Sequence, residues 1–254
     1  MTKTNIYVVT HKEFNYKILK NYIPIQVGKV NTKINLPYIG DDTGVNIAEK
    51  NNNYCELTAI YWIWKNDKSN NNIGICHYRR YFVHGLFCNL IDEAYINKIM
   101  KNYDVILPKP YQMKKSVARH FVEDPALNKG VSGFQHDLDN LRSIIEKKCP
   151  DYLNMYDKVM NRNYASYCNM CVMSKENFDN YCQWLFDILF ELEKITNLNG
   201  YTKQQERIYG FLSEFLLNVW IEKNKLKIKY ENIYYIENNK FKNVLKKVKL
   251  GLGL

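Results

Sequence analysis

The sequence predicts an α/β domain with a mostly parallel central sheet flanked by helices. Short β-branched runs such as Ile6–Thr10 and Ile73–Cys76 alternate with longer segments whose apolar residues recur at helical spacing. No Ser/Gly/Pro-rich linker divides the 254 residues, so one domain is expected over residues 1–235, followed by a basic tail at 236–254. Hydrophobic residues make up 46% of the chain and aromatics 14%, enough for a substantial core and too many for a disordered chain.

The elements follow in order. Ile6–Thr10 predicts the first strand and Ile23–Val30 the second. A polar turn, Gly40-Asp41-Asp42-Thr43-Gly44, leads into a helix across Asn46–Asn66, where Tyr54, Leu57, Tyr61 and Trp64 repeat at helical spacing. Ile73–Cys76 predicts a buried central strand. A helix over Ile91–Lys101 precedes a strand, Asp104–Leu107, that stops at Pro108. Leu138, Leu141 and Ile145 mark a helix ending before Pro150, and Tyr167–Met173 predicts a further strand. Two amphipathic helices follow, one carried by Tyr181, Leu185, Ile188 and Leu192, the other by Ile208, Leu212, Phe215 and Val219.

Charge narrows the partners. Thirty-six Lys and Arg against 26 Asp and Glu leave a net charge of +10, which favours an anionic partner: a nucleotide, a nucleic acid or an acidic membrane surface. A nucleic-acid module needs aromatics exposed among its cations. Here the aromatics fall on apolar helical faces, so no nucleic-acid partner is expected. The start of the chain lacks a basic segment followed by an apolar core, and no run reaches the ~20 apolar residues that cross a bilayer. The 7 Cys lie mostly inside apolar runs, which predicts reduced, buried thiols and a cytoplasmic location. Cys168-Asn169-Met170-Cys171 has the spacing of half a zinc site. On a strand, residues three apart face opposite ways, so a shared metal is not expected there.

The usual phosphate-binding signatures, G-x-x-x-x-G-K-[ST] and G-x-G-x-x-G, are absent. The densest polar cluster is His77-Tyr78-Arg79-Arg80, directly after the strand Ile73–Cys76. In open α/β sheets ligands bind beyond the carboxyl ends of strands, and the planar fork of Arg matches phosphate oxygens. A surface Arg pair bridged to nearby acids is the plainer alternative. Asp41 and Asp42, with Asn46 downstream, suit either a divalent cation, Mg²⁺ or Mn²⁺, or an ordinary turn at a helix start. At ~100° per residue Arg207, Gly210 and Glu214 form a second stripe beside an apolar helical face. That stripe is either a surface approached closely by something else or a solvated edge. His136 and Asp137 open a helix, where a carboxylate beside a His could supply a general base or merely cap the helix.

Several segments resemble a bacterial family of glycosyltransferases from capsule, exopolysaccharide and O-antigen clusters, long labelled only a domain of unknown function. They are Ile6-Tyr-Val-Val-Thr-His-Lys12, Gly40-Asp-Asp-Thr-Gly44, Tyr54-Cys-Glu-Leu-Thr-Ala-Ile-Tyr-Trp62, Cys76-His-Tyr-Arg-Arg-Tyr81, Asn169-Met-Cys-Val-Met-Ser-Lys175 and Gly210-Phe-Leu-Ser-Glu214. The resemblance covers about residues 5–224, and some members of the family are assigned as galactofuranosyltransferases. It implies a GT-A-like, Rossmann-type domain that takes a nucleoside-diphosphate sugar, a UDP-sugar by preference, and passes a hexosyl group to a lipid-linked or polysaccharide acceptor. Thr10, His11, Lys12, Asp41, Asp42, Asn46, His77, Tyr78, Arg79, Arg80 and Arg207 are then the expected donor-binding residues. Asp137, Glu214 and His136 are the expected catalytic ones. Where such folds carry an Asp-x-Asp metal motif, this chain has His77-Tyr78-Arg79-Arg80. Cations are thus expected to replace a metal, with Asp41 and Asp42 its holders if one is needed. The family carries a His-x-x-Asp-Leu-type segment, whereas this sequence reads His136-Asp137-Leu138.

The tail supplies the last expectation. Phe241, Val244, Leu245 and Val248 recur at helical spacing among Lys240, Lys242, Lys246, Lys247 and Lys249. A basic amphipathic segment of this kind is expected to dock on the anionic inner face of the cytoplasmic membrane.

Overall fold

Strand β1 (Thr4–Thr10) is buried on both faces because its side chains alternate between two cores: Ile6 and Val8 enter one, Tyr7 and Val9 the other. The structure is a computed structural model describing residues 3–14, 18–123 and 132–236. The tail at 237–254, and with it the membrane-docking expectation, lies outside the described residues.

After β1 come β2 (Tyr22–Gln26), β3 (Ile39–Gly40), α1 (Asn51–Tyr54), α2 (Leu57–Asn66), β4 (Asn72–His77), β5 (Arg80–His84) and β6 (Asn89–Leu90). Then follow α3 (Glu93–Ile99), β7 (Val105–Pro108), β8 (Tyr111–Gln112), α4 (Val117–Glu123), α5 (Gln135–Lys148) and α6 (Leu153–Asn161). The described chain closes with β9 (Tyr164–Ala165), β10 (Cys171–Ser174), α7 (Lys175–Ile195), α8 (Ile208–Lys223) and β11 (Ile228–Tyr235).

The main sheet has the order β3-β2-β1-β4-β10-β7-β11-β5-β6. The alternation of strands and helices holds, but the sheet is mixed rather than mostly parallel. β1 pairs in parallel with β2 and β4, and β7 with β11. β10 runs antiparallel to both β4 and β7, and β5 antiparallel to β11 and β6. The reason is local: β4 and β5 are joined by two residues, Tyr78 and Arg79, with His77 opposite Arg80. A link that short can only reverse the chain. Since β4 also pairs with β10, the strands β4, β10, β7, β11 and β5 close into a small barrel-like ring.

Helices cover the two faces unequally. α2 and α5 to α8 share the larger core with Tyr7, Val9, Ile73, Ile75 and Met173, while α3 packs on the other face. α8 is buried nearly all round, from Ile208 to Ile221, so it crosses the interior rather than lying on the surface. None of the described helices is long and apolar enough to cross a membrane.

Two local departures shape the site. The helix expected over Asn46–Asn66 is broken: α1 ends at Tyr54, Cys55 adopts φ 53°, ψ −126°, and α2 begins at Leu57. The strand expected over Tyr167–Met173 starts only at Cys171, because Cys168 (φ 76°) and Asn169 (φ 49°) take left-handed backbone conformations. Such residues cannot continue a β-ladder. All 7 cysteines are free thiols, four of them buried.

Candidate functional site

A cleft of about 670 Å³ opens at the carboxyl ends of β1, β2 and β4. Thr10 and His11 enter it from the end of β1, Val27 from the end of β2, and His77, Tyr78, Arg79 and Arg80 from the β4–β5 reversal. Its other wall is the α1–α2 break, with Asn51, Cys55 and Glu56, and the amino-terminal half of α8, with Arg207, Gly210 and Glu214. Tyr167 and Cys168 complete it.

The β1 end is shaped by Thr10, whose Oγ1 accepts from the Lys12 N–H at 3.1 Å and donates to the Lys12 carbonyl. That turn aims cations at Tyr78. Lys12 Nζ lies 5.5 Å and the Arg79 guanidinium 4.9 Å from the Tyr78 ring centre, and His11 meets the ring edge-on at 5.4 Å. Burial lowers the His11 pKa, and the neighbouring charges of Lys12, Arg79 and Arg207 lower it further. Arg207 donates from Nε to Cys55 Sγ at 3.1 Å and from its terminal nitrogen to Gln204 at 3.3 Å.

Facing these cations are two carboxylates, Glu56 and Glu214, fixed by one short turn. The Cys168 N–H donates to Glu214 Oε1 at 2.9 Å, and the Asn169 side-chain amide donates to Glu56 Oε1 at 2.8 Å. Asn169 is itself anchored to α8, through the Gly210 carbonyl at 3.1 Å and Ser213 Oγ at 2.8 Å. The Cys168 carbonyl accepts from His77 Nε2 at 2.6 Å, which assigns the ring proton to Nε2. The left-handed Cys168–Asn169 turn therefore holds three cleft side chains at once.

The electrostatics follow from that packing. Burial, reinforced by repulsion from Glu56, pushes Glu214 up to about 8, against the opposing Cys168 N–H, Arg80 and Arg207. Burial lowers the His77 pKa, with Arg80 adding to the effect and Glu56 and the Cys168 carbonyl opposing it. Burial also pushes the Cys168 thiol up to about 12 and the Cys55 thiol to about 11, so neither is a nucleophile at neutral pH.

The expected site residues divide into two groups. Thr10, His11, His77, Tyr78, Arg79, Arg80, Arg207 and Glu214 line the cleft, and Lys12 stands over Tyr78 at its edge. Asp41, Asp42, Asn46, His136 and Asp137 do not line it. Asp41 is fully buried, its carboxylate accepting from the Gly28 N–H at 2.9 Å, the Lys29 N–H at 3.3 Å and Thr58 Oγ1 at 2.6 Å. Asp42 pairs with Lys29 at 3.7 Å, and Asn46 bonds the Gly44 carbonyl and the Ala48 N–H. Asp137 caps α5, accepting from the Phe134 N–H at 2.7 Å and from the Tyr201 hydroxyl at 2.7 Å, while His136 bonds the same hydroxyl at 2.9 Å. Among the described residues no three His, Cys, Asp or Glu side chains group as metal ligands.

Glu56 and Asn169 are hidden in the sequence. Glu56 sits inside what reads as one continuous helix, and Asn169 inside what reads as a strand.

Fold and cleft together define an α/β protein with a basic pocket at the strand ends and a pair of carboxylates in its wall. The chain belongs to the family described as Domain of unknown function (DUF4422), whose model matches residues 5–225. A solved structure of the apo form of WbbM, a bifunctional glycosyltransferase, is similar in fold, with a TM-score of 0.82 and 30% sequence identity. The likeness covers 93% of this chain and 46% of that one, so this chain spans less than half the length of WbbM. No curated protein matches the chain.

Proposed function

We propose that the chain is a glycosyltransferase of GT-A type that takes a nucleoside-diphosphate sugar, with UDP as the preferred nucleotide, and transfers a hexosyl group. Its acceptor is a growing surface polysaccharide or its lipid-linked precursor, met at the inner face of the cytoplasmic membrane. One observation carries this reading: Arg79, Arg80 and Arg207 reach one cleft at the carboxyl ends of β1 and β4, opposite two carboxylates. Guanidinium groups so placed neutralise a diphosphate in the substrate and as it leaves, and a carboxylate serves the acceptor hydroxyl. The likeness to WbbM supports the same class. Galactofuranose is one hexosyl group within this proposal.

A nucleic-acid role finds less support, because many of the large aromatics are spent on packing. Tyr54 lies 4.6 Å from Tyr209, and Trp64 stacks on Phe186 at 5.7 Å. Calorimetric titration with UDP, UMP and a single-stranded oligonucleotide tests the reading, followed by release of UDP from a panel of UDP-sugars. Binding of UDP well above UMP, with turnover of one sugar, is expected. Failure to bind any nucleoside diphosphate would reject it.

A further inference from the structure

The cleft contains two carboxylates, and they are not equivalent. Resting on the glycosyltransferase reading above, we propose that Glu56 is the catalytic base that takes the proton of the acceptor hydroxyl, and that Glu214 is a positioning residue behind it.

Their places in the fold separate the pair. Glu56 occupies the position before α2, directly after the left-handed kink at Cys55, where the helix macrodipole favours negative charge. Its Oε1 accepts from the Asn169 side-chain amide, which is itself anchored to α8, so the carboxylate is held in the cleft wall. Glu214, by contrast, comes from the middle of a buried helix and spends Oε1 on the Cys168 N–H, the same turn whose next residue holds Glu56.

The charges around the pair agree with that division. Glu214 faces Glu56 from the α1–α2 break, Arg80 from β5, Arg207 from the start of α8, and Cys168 from the turn before β10. Burial disfavours its charge most, and Glu56 is its strongest repulsive neighbour, so Glu214 keeps its proton at neutral pH. A carboxyl that already holds a proton cannot accept another. Two ionised carboxylates so close would also oppose each other, and a neutral Glu214 removes that conflict.

The step balances without any further reactant. The acceptor oxygen forms a bond to the anomeric carbon as its proton passes to Glu56. The bond from that carbon to the diphosphate oxygen breaks, and the electron pair leaves on the phosphate, facing Arg79, Arg80 and Arg207.

Three forms of the full chain test this: wild type, Glu56→Gln and Glu214→Gln. Each is titrated with UDP and assayed for UDP release from the UDP-sugar that the wild type accepts, across pH 6–9. Loss of a general base costs about 10²–10⁴-fold in rate. Glu56→Gln is expected to lose at least ~100-fold in turnover while binding UDP within ~3-fold of wild type, which also shows that it folds. Glu214→Gln is expected to lose less than ~10-fold and to abolish the fall in wild-type turnover above about pH 8, where Glu214 would ionise. A purely structural Glu214 would leave that alkaline limb in place. Near-normal turnover in Glu56→Gln, or a larger loss in Glu214→Gln than in Glu56→Gln, would overturn the assignment. If the wild type binds UDP and Glu56→Gln stays active, only this inference fails. If the wild type binds no nucleoside diphosphate, the glycosyltransferase reading fails with it.

Discussion

The backbone N–H of Cys168 donates to Glu214 Oε1 at 2.9 Å, joining the turn before β10 to the inner face of α8. Among the described residues this is the one hydrogen bond that favours the charged form of Glu214, and burial together with Glu56 outweighs it. The consequence reaches stability as well as chemistry. The folded chain holds the Glu214 proton up to about pH 8, whereas an ordinary glutamate releases it near 4.5. Across that window this carboxyl binds more protons in the native state than in the unfolded one, so its contribution to stability falls as pH rises. His11 and His77, whose pKa values are lowered, act in the opposite sense, so the decline is read as the wild-type stability relative to that of Glu214→Gln, by chemical denaturation at intervals from pH 5 to 8.5. A stability difference between wild type and Glu214→Gln that stays constant or grows in favour of wild type through that interval would contradict the placement of this carboxyl.

Asn169 tests the turn itself. Its amide binds Glu56, the Gly210 carbonyl and Ser213, and its backbone sits at φ 49°. Removing the side chain takes away the hydrogen bonds that tie the turn to α8 and to Glu56, a loss of about 1–3 kcal/mol. Alanine suffers more than glycine, because a left-handed backbone costs a residue with a Cβ a further ~1–2 kcal/mol. Asn169→Ala should therefore be less stable than Asn169→Gly, and Asn169→Gly less stable than wild type. Urea midpoints of the three proteins check the order.

Cys55 and Asn169 mark where the sequence stops being legible. Periodicity locates β1, β4, α7 and α8 because each buries a long, regular apolar face that no neighbour needs to complete. The His77–Arg80 cluster is legible for the same reason: it must emerge where the buried run Ile73–Cys76 ends. β5 and β11 are not, since both owe their places to the closure of the ring, which depends on pairings between Arg80–Val83 and Asn232–Tyr235 far apart in the chain. Cys55 and Asn169 escape notice because each lies inside an apolar run that reads as one unbroken element, although Asn is a poor strand former that tolerates a left-handed backbone. Asp41 misleads in the opposite sense. A carboxylate pair in a polar turn resembles a ligand set, yet the hydroxyl of Thr58 and two backbone N–H groups already occupy it.

The arginines should act through charge as well as fit. A hydrogen bond to a charged group contributes about 1.5–3 kcal/mol, or roughly 10- to 150-fold in affinity. Arg79→Ala, Arg80→Ala and Arg207→Ala are each expected to weaken UDP binding by at least ~10-fold. Weakening should be smaller for UMP, which lacks the second phosphate. Calorimetry with both nucleotides separates this outcome from general damage to the cleft, which would weaken the two alike.

Asp41 is expected to matter for folding and not for a metal. Asparagine at this position offers an N–H₂ where the carboxylate accepted from Gly28, Lys29 and Thr58, leaving a buried donor against a donor. Asp41→Asn should lower stability by about 1–3 kcal/mol. EDTA should leave turnover of the wild type intact if, as proposed, Arg79 and Arg80 screen the diphosphate at the end of β4. Activity lost to EDTA and restored by Mn²⁺ would reverse this.

Gly210 and Cys55 make the last test, since they set how closely α8 approaches the kink that carries Glu56. A Cβ on Gly210 would lie 3.2 Å from Cys55 Cβ and 3.3 Å from its Sγ. Alanine in a helix is favoured over glycine by about 1 kcal/mol, so Gly210→Ala should change stability little while pushing the kink outward. Glu56 follows Cys55 directly, so turnover should fall further than stability does. Cys55 adopts φ 53°, ψ −126°, a backbone that glycine reaches without strain, and Cys55→Gly also removes both atoms in the way. The double variant Cys55→Gly/Gly210→Ala should therefore regain turnover relative to Gly210→Ala alone. A double-mutant cycle on turnover reads the coupling directly. Simple additivity would mean that the close approach of these two residues does not govern where Glu56 stands.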